Sequence, residues 1–130
     1  MKGVIIMKNK MLDKMLIEYE EPKKFQQLRG GIQKLLRFYY NSKDEKNLSK
    51  MLIVDDIVWD TEMESFVYGL KEYGVKELVF HSTWSSSIEL LMYLVDNGYQ
   101  VKGTIAYKED KWFCEKQIKK GLKLVLKKGE

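Results

Sequence analysis

Between Asn9 and Tyr40 the apolar residues return every three or four positions, the spacing of a helix face. Leu12, Met15, Leu16 and Tyr19 make one stripe, which Glu20-Glu21-Pro22 interrupts. Pro22 suits the first turn of a second helix, where its missing N–H is not needed, and Phe25, Leu28, Ile32, Leu35, Leu36 and Tyr39 form that helix's stripe. Gly30-Gly31 falls inside it. Two adjacent glycines cost a helix about 2 kcal/mol relative to alanine, so the pattern predicts a kink or a split there. Asn41-Ser42-Lys43-Asp44 is turn chemistry and marks a border.

Beyond the border the period changes. The run Met51 to Trp59 is too short for periodicity to separate a buried strand from a helix end, and it is read as a strand. Asp60 or Thr61 then opens a helix, with Thr61 and Glu64 spaced as a capping box and Met63, Phe66, Val67, Leu70 and Tyr73 on one face, closed by Gly74. Lys76 to His81 reads as a short strand. Ser86 to Asn97 reads as a helix with Ser86 and Glu89 as a second capping box, Ile88, Leu91, Met92 and Val95 recurring, and Gly98 after it. Tyr99, Val101, Gly103, Ile105 and Tyr107 alternate with Gln100, Lys102, Thr104 and Ala106, and Ile118, Leu122, Leu124 and Leu126 alternate with lysine and glycine, so two strands with one wet face are expected. Their connection, Lys108 to Lys116, is long for a tight turn.

The order is a helical N-terminal third, residues 1–42, followed by (β)αβαββ over 43–130. A strand, helix, strand unit crosses over to a parallel neighbour, whereas two closing strands can pair antiparallel, so the fold class is α/β of the mixed α+β kind with a small mixed sheet of three or four strands. At 130 residues the chain is read as one domain, and its 45% hydrophobic and 32% charged residues place it with globular proteins rather than disordered ones. No apolar run approaches the length of a membrane span, no signal segment is legible at the start, and a single cysteine, Cys114, fits a reducing compartment; a cytoplasmic protein with no membrane role is expected.

Net charge is +4, unevenly spread: residues 1–40 carry +5, residues 41–100 carry −6 and residues 101–130 carry +5. Such blocks attract one another within a fold or between two copies, or form an ordinary solvated surface, and both monomer and homodimer fit.

Chemistry concentrates in one turn. His81-Ser82-Thr83-Trp84-Ser85-Ser86-Ser87 stands between a strand and a helix start, bringing hydroxyls, an indole and the chain's one histidine to free backbone N–H groups. Catalysis is not expected there. No G-x-S-x-G elbow is present, and His81 and Ser82 point to opposite faces of a strand. The turn also lacks the glycine a phosphate loop needs. Capping and turn bonds account for most of the serines; Trp84 is the part they do not require. Leu52-Ile53-Val54-Asp55-Asp56 is similar to the opening strand of a receiver domain, but only 74 residues follow Asp56, too few for the remaining strand and helix units. One His and one Cys 33 residues apart do not make a metal site, and neither metal nor cofactor is expected. The lysine-rich C-terminal hairpin offers an alternative surface for loose nucleic-acid contact through Lys119, Lys123 and Lys127 on one strand face, with Trp112 and Phe113 as stacking groups. With only two arginines in the chain, base-specific reading is disfavoured.

Val58-Trp59, Glu62 to Val75, the run Lys76 to Ser86 and Asn97-Gly98-Tyr99 together resemble a group of small uncharacterised proteins carried by mobile elements of low-GC Gram-positive bacteria. In that group a strand ends in a Phe-Ser-Ser-Thr-Trp-Ser-Ser-like turn, and His81 stands here in place of a small polar residue. The resemblance implies an accessory protein of a phage or mobile element and carries no catalytic residues over. It implies a protein partner, a host defence nuclease of the kind anti-CRISPR proteins block being one. The expectation is therefore a non-enzymatic interaction protein whose contact surface includes His81, Ser82, Thr83, Trp84, Ser85 and Ser86 together with Trp112. A small enzyme acting on a phosphorylated ligand at the turn is a further alternative.

Overall fold

The computed structural model describes residues 7–82 and 84–128. The N-terminal third holds α1 (Lys10–Glu18), α2 (Pro22–Gln26) and α3 (Gly30–Ser42). The remainder runs β1 (Leu52–Val54), α4 (Asp60–Glu72), β2 (Glu77–Phe80), α5 (Ser87–Asp96), β3 (Tyr99–Trp112) and β4 (Glu115–Leu126), the expected βαβαββ order. The strands form one mixed sheet in the order β1-β2-β4-β3, with β1 and β2 parallel and the other pairs antiparallel. The last strand is thus internal, inserted between β2 and β3 with Leu78 opposite Leu124.

The second N-terminal stripe is split in two. Residues 27–29 separate α2 from α3, and Gly30 and Gly31 open α3 instead of interrupting it. The strand read over Met51 to Trp59 is real but short: pairing stops at Val54, and a loop leads to Asp60. Neither predicted capping box forms as drawn. α4 is capped two positions earlier, where the Trp59 N–H donates to Glu62 Oε1 (3.0 Å) and the Glu62 N–H to the Trp59 carbonyl (2.8 Å), so Glu62 rather than Glu64 completes the cap. Ser86 stands at the N-cap of α5 with no side-chain cap bond; its φ of −87° and ψ of 5° lie outside the extended region that aims a capping hydroxyl at the first turn. The terminators hold: Gly74 and Gly98 sit at φ +74° and +101°.

The core lies between one face of the sheet and the helices. Leu52, Val54, Leu78, Phe80 and Leu124 meet Leu35, Phe38, Phe66, Leu70, Leu90 and Leu94 in one buried cluster. α1 is clasped onto this layer: Tyr39 Oη donates to Asp13 (2.6 Å) and accepts from the Asn9 N–H (2.9 Å), Lys43 pairs with Asp13, and Asn9 Nδ2 reaches the Tyr73 carbonyl (2.8 Å).

The β3–β4 hairpin closes the opposite side. β3 is the sheet edge farthest from β1, yet the Leu48 N–H donates to the Tyr107 carbonyl (2.9 Å) and Asn47 bridges Lys108, both just upstream of β1. The hairpin reaches there by bending at two register shifts in β3, between Val101 and Thr104 and between Ala106 and Lys108, which coil the strand as bulges do. Gly121 permits the close crossing of β4 over β2: a Cβ there would stand 2.7 Å from Val79 Cγ1 and 2.8 Å from the Phe80 carbonyl oxygen. Val79 is therefore fully buried although it faces away from the helices.

Beyond this crossing the hairpin continues as an arm. The segment Lys108 to Lys116, expected as a connection, is mostly strand: β3 runs to Trp112 and β4 begins at Glu115 around a two-residue turn of Phe113 and Cys114. Phe113 adopts φ +56° and is 88% exposed, and Ile118, expected on the dry side, is exposed like the other described residues from 113 to 120. Cross-strand ion pairs, Lys119 to Asp110 (3.0 Å) and Lys116 to Glu109 (3.3 Å), take the place of an apolar face.

Tyr99 gives the fold an alkaline limit. Its ring is fully buried, its hydroxyl donates to the Val75 carbonyl (2.7 Å), and burial pushes its pKa well above the ordinary tyrosine value. A raised folded-state pKa contributes stability that is complete below the unfolded value of about 10 and is lost as pH rises beyond it. Thermal unfolding followed from pH 8 upward should thus show Tm falling above about pH 10, less steeply in Tyr99→Phe, whose side chain cannot ionise.

Candidate functional site

The parallel pair β1 and β2 fixes where a site can form, because loops at the carboxyl ends of parallel strands are free of the sheet's own hydrogen bonds. Asp55 follows β1 there and His81 follows β2. The His81 N–H donates to the Val54 carbonyl (2.9 Å), extending the pairing by one residue. His81 Nδ1 lies 2.8 Å from the Lys120 carbonyl, which can only accept, so Nδ1 carries the hydrogen. The imidazole meets the Tyr107 ring edge-on with centroids 5.5 Å apart.

The residues of the predicted turn separate into distinct roles. Ser82 Oγ accepts from the Trp84 N–H at 3.4 Å, a weak turn bond, and no described serine bonds the imidazole. Ser85 is exposed and Ser86 half-buried. Trp84 is 52% exposed. Thr83 lies outside the described residues, as does the side chain of Trp112. The Trp112 backbone is at the arm's tip, five strand residues beyond Lys120 by its pairing with Glu115, or roughly 16 Å from the turn's anchor.

α5 continues from Trp84 as an apolar surface. Leu90 and Leu94 face the core, while Ile88, Met92 and Val95, spaced four and then three residues apart, remain between 46% and 58% exposed on the outer side. Trp84 lies four residues before Ile88, in the turn that precedes α5. The charged residues of α5 are Glu89 and Asp96, and those of the adjoining α4 are Asp60, Glu62, Glu64 and Glu72 against Lys71, so both helices carry the net negative charge of the middle of the sequence.

The lysines of the alternative surface are less available than their spacing implied. Lys119 is paired with Asp110, whose carboxyl is lowered from its ordinary pKa first by the hydrogen bond from Lys119 and then by the charges of Lys108 and Lys46, against a smaller rise from desolvation. Lys123 shares the Lys119 face of β4, but Lys127 falls past the end of the strand, its N–H bonded to the Gly98 carbonyl (2.9 Å), so the three do not form one strand face.

A third feature has no local signature in the sequence. Where the hairpin closes against the chain entering β1, a cavity of about 310 Å³ is lined by Ser42, Asn47, Asp55, Tyr107, Lys46 and Lys108 among others. Ser42 and Asn47 are buried and fully engaged. Ser42 Oγ donates to the Phe38 carbonyl (2.6 Å) and accepts from the Ile53 N–H (2.8 Å), and Asn47 makes five side-chain bonds to residues 42–51. Asp55 has an accessible tip, but partial desolvation raises its pKa from the ordinary carboxylate value; Asp56 pushes the same way, while a bond from its own N–H and the charges of Lys108 and His81 oppose it. Only the acidic end of the receiver-like run hinted at this place; Tyr107 is 52 residues from Asp55 and came from strand alternation alone.

Among the described residues, no group of three or more His, Cys, Asp or Glu side chains stands together to hold a metal, and no helix is long and apolar enough to cross a membrane. These features define a small mixed α/β protein with helices on one side of its sheet and a long hairpin folded across the other. The chain belongs to the family described as Domain of unknown function (DUF7698), whose model matches residues 34–126, a span that includes the turn, α5 and the cavity. No curated protein and no solved structure matches the chain.

Proposed function

We propose that this protein is a non-enzymatic interaction protein, an accessory protein of a phage or mobile element that binds a host protein through Trp84 and the outer stripe of α5. The observation that carries this reading is the stripe of Ile88, Met92 and Val95, exposed on a helix whose charged residues are both acids, with Trp84 exposed in the turn that precedes it. A contiguous apolar strip with a polar rim is what partner surfaces present, and a half-exposed tryptophan is a favoured anchor. The acidic rim selects for a partner with lysine or arginine around its own apolar anchor and repels nucleic-acid phosphate. The resemblance to accessory proteins of mobile elements makes host proteins the first partners to test, a defence nuclease among them.

Affinity capture from a host lysate with wild type, Trp84→Ala and Met92→Lys, read by mass spectrometry and repeated with the purified partner, tests the proposal. Both side chains are exposed, so the variants should melt within about 2 °C of wild type, in keeping with surface positions. The partner's Kd should rise at least roughly tenfold in each, the loss of one anchor. Unchanged capture by both variants, or a bound fraction that is nucleic acid and falls steeply with salt, would overturn the reading.

A further inference from the structure

We propose that the cavity between the hairpin and the chain entering β1 is a binding site for a small zwitterion of the free amino acid class. The ammonium group would sit against Asp55 and the Tyr107 hydroxyl, and the carboxylate against Lys46 and Lys108.

The first argument is the state of the floor. Tyr107 is only 2% exposed, yet its hydroxyl bonds none of the described residues and is open to the cavity instead of sealed within protein. A hydroxyl that reaches a cavity without a protein partner can give its bond to a ligand there. The other buried polar groups of the floor, Ser42 and Asn47, have their side-chain bonds committed to the protein, which leaves the phenol as the uncommitted one and holds the floor in place around it. Asp55 lines the same cavity, and its charge adds to the larger effect of burial in raising the phenol's pKa.

The second argument is charge. The lining holds two carboxylates, Asp44 and Asp55, and two ammonium groups, Lys46 and Lys108. A phosphate or other bare anion would face both acids, and a polyamine would face both lysines. A ligand with one charge of each sign meets neither penalty. Lys108 Nζ lies 3.9 Å from Asp110, which Lys119 pairs more closely at 3.0 Å, so Lys108 shares its counter-ion and can also meet a ligand carboxylate. The volume, about 310 Å³, is at the small end of ligand pockets and suits a molecule of amino acid size. Its place at the carboxyl end of β1 is where open sheets with parallel strands commonly hold ligands.

The test is a panel of the twenty free L-amino acids at millimolar concentration, read by thermal shift and by amide chemical shifts of the 15N-labelled protein. For any that bind, the N-acetyl derivative, which lacks the ammonium group, and the corresponding amine, which lacks the carboxylate, are run beside it, with inorganic phosphate as a further arm. We expect at least one amino acid to raise Tm and to shift the amides of residues 42–48, 53–55 and 105–108, with both truncated analogues at least about tenfold weaker, the worth of one charge-assisted bond. Tyr107→Phe keeps the ring against His81 and Asp55→Asn keeps the side-chain shape, so both should fold; each should weaken binding by about tenfold or more. Absence of any response across the panel would overturn the proposal. So would an N-acetyl derivative or phosphate binding as well as the free amino acid, or wild-type affinity in Asp55→Asn.

Discussion

Replacing Gly31 with alanine is expected to lower the melting temperature by about 10 °C. Gly31 lies where α3 crosses α4, and its N–H donates to Ser65 Oγ (2.9 Å). A methyl group built on Gly31 would stand 2.2 Å from the Phe66 backbone nitrogen, 2.2 Å from Ser65 Oγ and 2.3 Å from the Glu62 carbonyl oxygen. Two of these obstacles are backbone, so no rotamer change relieves the clash and the helices must separate. Separation would loosen the edge-on contact of Phe38 with Phe66 (centroids 5.7 Å apart) and the buried layer around it. Overpacking of this kind costs about 3 kcal/mol, which outweighs the gain of at most about 1 kcal/mol in helix propensity. For a chain of this size roughly 3–4 °C is lost per kcal/mol. Gly30→Ala is the internal control. Its methyl would meet only the outer atoms of the flexible Glu62 side chain, at 3.2 and 3.3 Å, and its Tm should stay within about 3 °C of wild type. If the two variants melted together, the crossing would not be as close as described.

Asn47→Ala is expected to cost about 3–4 kcal/mol and to loosen the hairpin's closure as well. The Asn47 side chain is 2% exposed. Its Nδ2 donates to the carbonyls of Ser42 and Met51, both at 2.8 Å, and its Oδ1 accepts from the N–H groups of Ser49 and Lys50, both at 3.0 Å, and from the Ser49 hydroxyl at 2.6 Å. The turn it organises holds Lys50 at φ +56°, a backbone state a lysine does not choose by itself. Alanine leaves these partners without their bonds, at roughly 1 kcal/mol each after water recovers some of them. Asn47→Asp should not rescue, because a carboxylate oxygen would replace the donor facing two carbonyls. The neighbouring Leu48 N–H is bonded to Tyr107, so its hydrogen exchange should accelerate far more than that of amides in α4. Wild-type protection at Leu48 in a folded Asn47→Ala protein would show that the closure is held elsewhere.

Much of the architecture was legible because its signals are local. Pro22, the stripes at helical spacing, and Gly74 and Gly98 each act within a few residues, and the elements they predict are present. The βαβαββ order follows from them, and so does a mixed sheet. Errors arose where a local rule had a competitor. Lys108 to Lys116 read as a loop because it lacks apolar alternation, yet cross-strand pairs such as Lys119 with Asp110 sustain a strand without a dry face. Thr61 and Ser86 read as caps because their types and spacing fit, whereas the chain's actual entry into each helix gave the first cap to Glu62 and left Ser86 without a capping bond.

The candidate site divides in the same way. The turn after β2 was visible from its composition, and Trp84 stood out there because capping has no use for an indole. Whether that indole is buried or exposed is decided by what else reaches the sheet edge, which its neighbours in sequence do not encode. By itself the sequence determined the order of the elements, the glycine ends of α4 and α5 and the charge blocks, since each depends on residues within a turn or two of one another. The insertion of β4 beside β2, the crossing at Gly31, the closure of the hairpin on Asn47 and the meeting of Asp55 with Tyr107 were decided only by the tertiary structure. They depend on strand bends and helix approach between distant segments, and the free energy that selects them is the burial of surfaces no single segment can bury alone.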